Sequence, residues 1–202
     1  RLAYVPMGPV VERSDADTVT RLLSALRDTV NRRRAFCLKV EPAALDGGAI
    51  TGMTAAGYRP SPQTVQWRRT IVIDLDCTEE ELMARLDKKH RQKVRKADRA
   101  GVTVREGTAA DVPAFVALLD QTAARKQFAA YPPEYYRASF ELLGADGRGR
   151  FLLATYEGEV LAGLMVFMLG DTAYCMFAAS GNAHRDLMPT YLLHWEGIRS
   201  AR

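Results

Sequence analysis

Apolar residues recur at helical spacing early in the chain. Residues 15–34 place five of them on one side of a helical wheel, which predicts an amphipathic helix: Val19, Leu22, Leu23, Leu26 and Val30. An aspartate, Asp15 or Asp17, stands where it can cap the start of this helix. The next apolar run, FCLKVEP, is typical of a strand that is stopped by Pro42.

The middle of the chain alternates between helix and strand signals. A short helix is predicted before Gly57, and VQWRRTIVIDL, rich in β-branched residues, predicts a strand that ends near an aspartate. A further helix is predicted from Thr78, where Thr-Glu-Glu-Glu forms a capping box with Glu81 at the third helical position. Its pattern continues to about Ala100, and Gly101 is placed to end it.

The second half predicts, in order, a strand, two helices, a β-hairpin, a strand and a helix. The hairpin is FLLATYEGEVLAGLMVFML, with its turn at Glu157–Glu159. This order resembles that of GNAT-like acyltransferases, and the first half looks like the latter part of a similar unit. We therefore predict an α/β (α+β) fold of two GNAT-like subdomains, with mixed, mostly antiparallel sheets flanked by helices. A soft boundary near Ala100 divides a first subdomain (1–100), which ends in a basic helix, from a C-terminally incomplete second one (101–202).

Composition adds limits to this picture. The 202 residues are 48% hydrophobic and 26% charged, and no apolar run approaches the length of a membrane span. The first residue is Arg and the closing EGIRSAR looks like an unfinished helix, so we expect a piece of a longer protein, truncated at both ends. Three cysteines without CxxC spacing argue against a disulfide framework and a zinc site. Cys37 and Cys175 lie in apolar runs and are expected to be buried.

Positive charge is concentrated in one stretch. Residues 88–99 hold seven basic side chains and one acidic one, a net +6, so the remaining chain carries −2. On a single helical wheel these cations lie opposite an apolar arc: Leu82, Met83, Leu86, His90, Val94 and Ala97. They extend over about three turns, whereas the helix dipole acts mainly in the last turn. The pattern leaves two interpretations open, a polyanion-binding surface and a solvated helix face.

The segment ASGNAHRDLMPTYLLHWEGIRSAR resembles the strand-to-helix corner of the GNAT acetyltransferases. Those enzymes carry Arg/Gln-x-x-Gly-x-Gly/Ala there, because backbone amides at the helix start cradle the pyrophosphate of coenzyme A. In this register Arg185 matches the first position, but Met188 and Thr190 replace the two glycines. Pro189 between them has no N–H to donate. We therefore expect no coenzyme A, and neither another cofactor nor a metal.

A doubled GNAT-like order, a lost coenzyme A loop and a basic helix resemble the Fem family of peptidoglycan-bridge aminoacyl transferases. Several stretches are similar to family motifs, in order along the chain: Tyr4-Val-Pro-Met-Gly-Pro-Val, Phe36-Cys-Leu-Lys-Val-Glu-Pro, Gln63, Thr70-Ile-Val-Ile-Asp-Leu, Lys88-Lys-His-Arg-Gln-Lys-Val-Arg-Lys-Ala, Thr122-Ala-Ala-Arg-Lys-Gln-Phe, Tyr135-Tyr136 and Pro189-Thr-Tyr-Leu-Leu-His-Trp-Glu-Gly-Ile. The set runs through nearly the whole chain. Met7 and Glu12 depart from it, where the family often has Arg and Asp.

The resemblance implies an enzyme that moves an amino acid from aminoacyl-tRNA to the stem-peptide amine of a peptidoglycan precursor, either UDP-linked or lipid-linked. Such a reaction is aminolysis of an activated ester, which needs orientation and oxyanion stabilisation but no enzyme nucleophile. The enzyme is expected to be a cytoplasmic monomer. Contact with the inner face of the membrane is left open.

The resemblance also implies roles for particular residues. Glu12 is the candidate acceptor of the amine proton. The precursor is expected to contact one arginine and four tyrosines: Arg125, Tyr4, Tyr131, Tyr135 and Tyr174. The basic helix is expected to contact tRNA phosphates through Lys88, Arg91, Arg95 and Arg99.

Two alternative functions stay open at this point. A coenzyme A-dependent GNAT N-acyltransferase would bind acetyl-CoA tightly, against the indication of residues 185–190. A non-catalytic RNA-binding module would bind RNA in a salt-sensitive manner and transfer no amino acid.

Overall fold

The computed structural model describes residues 2–11, 15–42, 47–66, 69–144 and 147–202. Contacts divide the chain into two compact units, Arg1–Val72 and Ile73–Arg202.

The first unit combines a two-stranded parallel sheet with two helices. Its elements are β1 (Leu2–Pro6), α1 (Ala16–Arg32), β2 (Cys37–Glu41) and α2 (Gly47–Ala55). The Asp15 side chain accepts a hydrogen bond from the Thr18 N–H and caps α1, which confirms the predicted start of this helix. Val19 and Leu23 of α1 are buried, and Gly52 of α2 allows the helices to approach closely: a Cβ there would lie 2.7 Å from the Cβ of Val19.

The second unit is built on a four-stranded antiparallel sheet of order β3-β4-β5-β6. Its elements are α3 (Glu79–Arg85), α4 (Lys88–Arg99), β3 (Thr103–Glu106), α5 (Val112–Lys126), α6 (Pro133–Gly144), β4 (Gly149–Tyr156), β5 (Glu159–Leu169), β6 (Thr172–Ser180) and α7 (Pro189–Ser200). Glu157 and Gly158, both with positive φ, turn the predicted β4–β5 hairpin. One parallel and one antiparallel sheet, flanked by helices, confirm the predicted fold class.

Helices cover both faces of the second sheet. On one face, Val94 of α4 and Trp195 of α7 pack with Leu164 of β5 in one core. On the other face, Phe115 of α5 is fully buried over β5, where a Cβ at Gly163 would lie only 2.4 Å from the ring. The two cores hold α4, α5 and α7 on one sheet, and these helices, together with α6 and β6, carry the residues of the candidate site.

The single helix predicted over residues 78–100 is wrong, because the structure forms α3 and α4 with a break between them. Asp87 caps α4, its Oδ1 accepting a hydrogen bond of 2.8 Å from the His90 N–H. The apolar arc drawn on one wheel is therefore interrupted after Leu86. His90 is exposed rather than turned into the core, and its Nδ1 lies 2.5 Å from the Asp87 Oδ2.

The strand predicted in VQWRRTIVIDL is absent from its described parts, residues 65–66 and 69–75, while residues 67–68 lie outside the described chain. Ile71 is 89% exposed and Val72 is 85% exposed. β-branched residues favour a strand when a neighbouring strand supplies hydrogen bonds and packing. Neither described sheet extends to this segment, so no neighbouring strand is present to stabilise it as a β-strand.

The compact units divide between Val72 and Ile73, whereas the pattern placed a boundary near Ala100. The reason is the basic helix: Val94 and Ala97 of α4 are buried in the core of the second sheet. Assignment of the two parts to GNAT-like subdomains stays a prediction.

The expectation that Cys37 and Cys175 are buried is wrong, since both are exposed. Cys37 is the first residue of β2, and Cys175 lies on β6, the last strand of the described four-stranded sheet. An edge strand has a neighbour on one side only, so an apolar run there does not ensure burial.

Candidate functional site

Arg125 lies in the last turn of α5, where it reaches the end of β6. Its Nη1 donates to the Asn182 Oδ1 at 2.6 Å, and its Nη2 donates to the Ser180 backbone oxygen at 3.1 Å and to the Ser180 Oγ at 2.9 Å. The Arg125 Nε is buried and has no hydrogen-bond partner among the described residues. The guanidinium is therefore held in one orientation, with one N–H of Nη1 left for a ligand.

Two exposed tyrosines form a stacked pair at the start of α6. The rings of Tyr131 and Tyr135 lie 4.3 Å apart and are inclined by 22°. Beneath them Tyr136 is buried, its hydroxyl accepting a hydrogen bond from the Tyr131 N–H, and Phe177 of β6 packs edge-on against both Tyr135 and Tyr136. The structure thus brings two of the four predicted tyrosines together as one aromatic platform, fixed from below.

Tyr174 occupies the other end of β6 from Arg125. It lies six residue steps along the strand from Ser180, about 20 Å at the usual rise. Its cross-strand partner is Phe167, whose ring is in the core under α5 and α6, so Tyr174 lies on the same sheet face as the platform. A single ligand that contacts both Arg125 and Tyr174 would have to follow the strand.

Tyr4 belongs to a hydrogen-bond cluster of the first unit. Its hydroxyl donates to the Glu41 Oε2 at 2.7 Å, and the same carboxylate accepts from the N–H groups of Val65 and Gln66. Burial opposes the charge of Glu41, but these hydrogen bonds and Lys39 together lower the pKa of Glu41 to about 2. The Tyr4 hydroxyl is thus engaged within the protein, and Glu12, the predicted proton acceptor, lies outside the described residues.

The Glu41 cluster predicts acid-sensitive stability in the first unit. Because the folded pKa of Glu41 is about 2, below its ordinary 4.5, the carboxylate stabilises the fold at neutral pH. That contribution is lost as the pH falls from about 4.5 toward 2. Glu41→Gln should therefore lower the Tm most at pH 7, with the difference from wild type closing below pH 4.5. Thermal melts across this range, with the exposed Glu134→Gln as control, measure it; a pH-independent difference would contradict the prediction.

Five cations of α4 point away from the core: Lys88, Lys89, Arg95, Lys96 and Arg99 are exposed. Within the described ranges no carboxylate lies within ion-pair distance of them. On a helical wheel Lys88, Arg95 and Arg99 fall within about 40° of one another. They form a row, here called the basic row, about 16 Å long.

The two other cations of this stretch have structural partners. The Arg91 Nη1 donates to the backbone oxygens of Ala84 and Leu86 and so closes the break between α3 and α4. The Lys93 Nζ donates to the Tyr191 hydroxyl at 2.7 Å and lies 4.4 Å from the centre of its ring, which ties α4 to α7. Arg91, predicted to contact tRNA, thus already serves the fold; its role toward RNA stays a prediction.

Sequence reasoning did not single out a recess of about 150 Å³ beside Arg125, formed by α5, β5, β6 and α7. Its polar lining consists of Thr122, Ser180, Thr190 and His194. The Thr122 Oγ1 donates to the Ser180 backbone oxygen at 3.0 Å, which fixes one wall. The His194 side chain is partly exposed, and its desolvation by the recess lowers its pKa, which favours the neutral imidazole. The i, i+4 spacing of Thr190 and His194 on α7 is the one sequence signal for this lining.

The corner before α7 offers few amides to an anion. Met188 adopts φ 61°, the left-handed region that favours glycine, and its N–H donates to the Arg185 backbone oxygen. Pro189 has no N–H, and the Tyr191 N–H donates to the Met188 backbone oxygen. In the part of the chain that is described, no three His, Cys, Asp or Glu side chains cluster as metal ligands. No helix there has the length and apolarity to cross a bilayer.

Comparison with known proteins gives three similarities. Residues 46–157 match the model of the FemAB family. Lipid II:glycine glycyltransferase of Staphylococcus aureus is 25% identical over 166 residues, which cover 77% of this chain and 39% of that enzyme; its counterpart in strain USA300 matches equally. The crystal structure of FemX shares the fold with a TM-score of 0.79 at 19% identity, over 98% of this chain and 68% of that one. The chain thus spans 39% of the length of the curated relatives it matches.

Proposed function

This chain belongs to the FemAB family, and from that membership we propose that it is part of an aminoacyltransferase that builds peptidoglycan bridges. The donor is aminoacyl-tRNA, and the acceptor is the stem-peptide amine of a cell-wall precursor. The relative from Staphylococcus aureus is named for glycyl transfer to lipid II, which supports a lipid-linked acceptor. The enzyme would then work as a monomer in the cytoplasm, at the inner face of the membrane.

The chemistry asks for positioning more than for a reactive side chain. A primary amine attacks the ester carbonyl of the charged tRNA, a C–N bond forms, and the C–O bond to the terminal ribose breaks. The protein must hold both substrates in line and receive the charge that develops. We assign Arg125 to an anionic group of the precursor and the Tyr131–Tyr135 platform to its sugar or base, with Tyr174 further along β6.

The basic row is the observation that supports tRNA as donor. Lys88, Arg95 and Arg99 repel one another along one face of α4, and no carboxylate in the described chain forms an ion pair with them. A solvated face gains little from such a row, whereas a phosphate backbone neutralises it and releases counterions. Coenzyme A as the alternative donor is disfavoured at the start of α7, because Met188 and Pro189 offer no free N–H to its pyrophosphate.

A transfer assay on the full-length protein tests the proposal. A panel of tRNAs charged with labelled amino acids is offered with either the UDP-linked or the lipid-linked precursor. We expect label on the precursor with at least one charged tRNA. No label should be transferred when that tRNA is digested with ribonuclease before the reaction. Transfer from an acyl-coenzyme A instead, or RNA binding with no transfer to either acceptor, would contradict it.

A further inference from the structure

We propose that His194 is the catalytic base of this reaction, accepting through its imidazole the proton that the attacking amine must release. The inference rests on the proposed function above. It is carried by the position of the recess between the two proposed binding surfaces and by the chemistry of its lining.

Helix α7 separates those two surfaces. On one side of α7, Tyr191 packs on α4, where it holds Lys93 at 2.7 Å and lies 5.5 Å, ring to ring, from His90. On another side, Thr190 and His194 line the recess together with Ser180. In this proposal the aminoacyl end comes from the α4 side of α7, the amine comes from the Arg125 side, and the two meet next to His194.

The recess has the size and polarity for the reacting groups. Its volume of about 150 Å³ equals roughly five water molecules, enough for the end of an alkylamine and the carbonyl that it attacks. Ser180 is shared with Arg125, whose Nη2 donates to the Ser180 Oγ at 2.9 Å. His194 has no hydrogen-bond partner among the described residues, so its ring nitrogens are available to a substrate.

The surroundings of His194 favour its neutral form. Among the described lining residues His194 is the one titratable group. The nearest charge on the α5 side is the guanidinium of Arg125 behind Ser180, and on the α4 side Lys93 and His90 lie against Tyr191. Desolvation lowers the pKa of His194. A neutral imidazole near pH 7 is the form that a base requires.

The proposed step balances without a further reactant. The amine nitrogen bonds to the ester carbon while a ring nitrogen of His194 takes the N–H proton. The tetrahedral intermediate then expels the ribose oxygen, and the imidazolium returns that proton to it. The products are the amide and the uncharged tRNA, and His194 is neutral again.

The test is the rate of transfer by a His194→Gln variant of the full-length protein. We expect kcat to fall by about 10²- to 10⁴-fold with nearly unchanged KM for both substrates. The acidic limb of the wild-type pH–rate profile should disappear as well. His184→Gln is the matched control, since His184 is an exposed histidine near Glu159 and outside the recess lining; it should keep the wild-type rate and profile.

A second variant separates catalysis from folding. In His194→Ala, free imidazole added to the assay should restore part of the transfer rate, which a purely structural histidine would not show. Wild-type rates in His194→Gln, or no imidazole rescue of His194→Ala, would overturn the role of His194 while transfer by the wild type upholds the proposed function. Absence of transfer by the wild type would overturn both.

Discussion

Arg125→Ala is expected to lower kcat/KM for the precursor by about 100-fold, together with a lower Tm. A charge-assisted hydrogen bond to an anion contributes about 1.5–3 kcal/mol, and 2.7 kcal/mol corresponds to a factor of about 100. The stability loss has a separate origin. Without the guanidinium, the Ser180 Oγ and the Asn182 Oδ1 lose its hydrogen bonds, and the Ser180 backbone oxygen retains only the Thr122 hydroxyl as a donor among the described residues.

Two further variants divide these effects. Arg125→Lys keeps the charge but cannot hold Ser180 and Asn182 together, so we expect a smaller loss, near 10-fold, in kcat/KM. Asn182→Ala removes one partner and keeps the guanidinium, so it should reduce Tm more than substrate affinity. Steady-state kinetics and thermal melts on Arg125→Ala, Arg125→Lys and Asn182→Ala separate the effect on substrate binding from the effect on stability. A fall in Tm with wild-type KM for the precursor in Arg125→Ala would reduce Arg125 to a structural residue.

Simultaneous replacement of Lys88, Arg95 and Arg99 by alanine is expected to weaken tRNA binding by about 100-fold near physiological salt. If each side chain of the basic row contacts one phosphate, the slope of log affinity against log salt should flatten by about 2–3. Fluorescence anisotropy with a labelled acceptor-arm RNA, read at several salt concentrations, measures both quantities. Arg91 and Lys93 are left in place because their contacts belong to the fold.

The matched control removes the same charge from elsewhere. Arg21, Lys126 and Arg137 are exposed cations outside α4, and their triple alanine variant changes the net charge equally. It should alter the affinity only slightly, since steering by total charge is weak beyond the Debye length. Equal losses in both triple variants would show that the binding is unspecific attraction, and no loss in the first would leave α4 a solvated face.

Much of the fold follows from local signals. The cap at Asp15, the turn at Glu157–Gly158 and the continuous apolar runs of β4 and β5 each depend on residues a few positions apart, so sequence predicts them. The break between α3 and α4 at Asp87 does not follow from local signals. An aspartate in a long helical pattern suits an exposed helix position as well as a cap. The strand prediction for residues 69–75 is wrong for another reason. β-propensity describes how well a segment packs beside a neighbouring strand, and the segment itself does not determine whether that neighbour exists.

The residues of the candidate site likewise divide into those that sequence motifs predict and those that depend on the tertiary structure. The pair Tyr131 and Tyr135 was accessible to motif reasoning, and the structure brings them together. The structural contacts of Arg91 could not be predicted in this way, because its backbone acceptors become available only where α3 ends. His194 carries no motif signal, because a lone histidine in an apolar helix is typical of ordinary packing. Its significance depends on Ser180, fourteen positions earlier, lying opposite Thr190 across a recess.

The contact between Gly163 and Phe115 has an evolutionary consequence. An alanine at 163 would place its Cβ 2.4 Å from the Phe115 ring, so the two positions cannot both be large. Relatives that share this sheet should vary them as a pair, with a side chain at 163 accompanied by a smaller residue at 115. A side chain at 163 alone would overfill the core under α5, and a smaller residue at 115 alone would leave a cavity there.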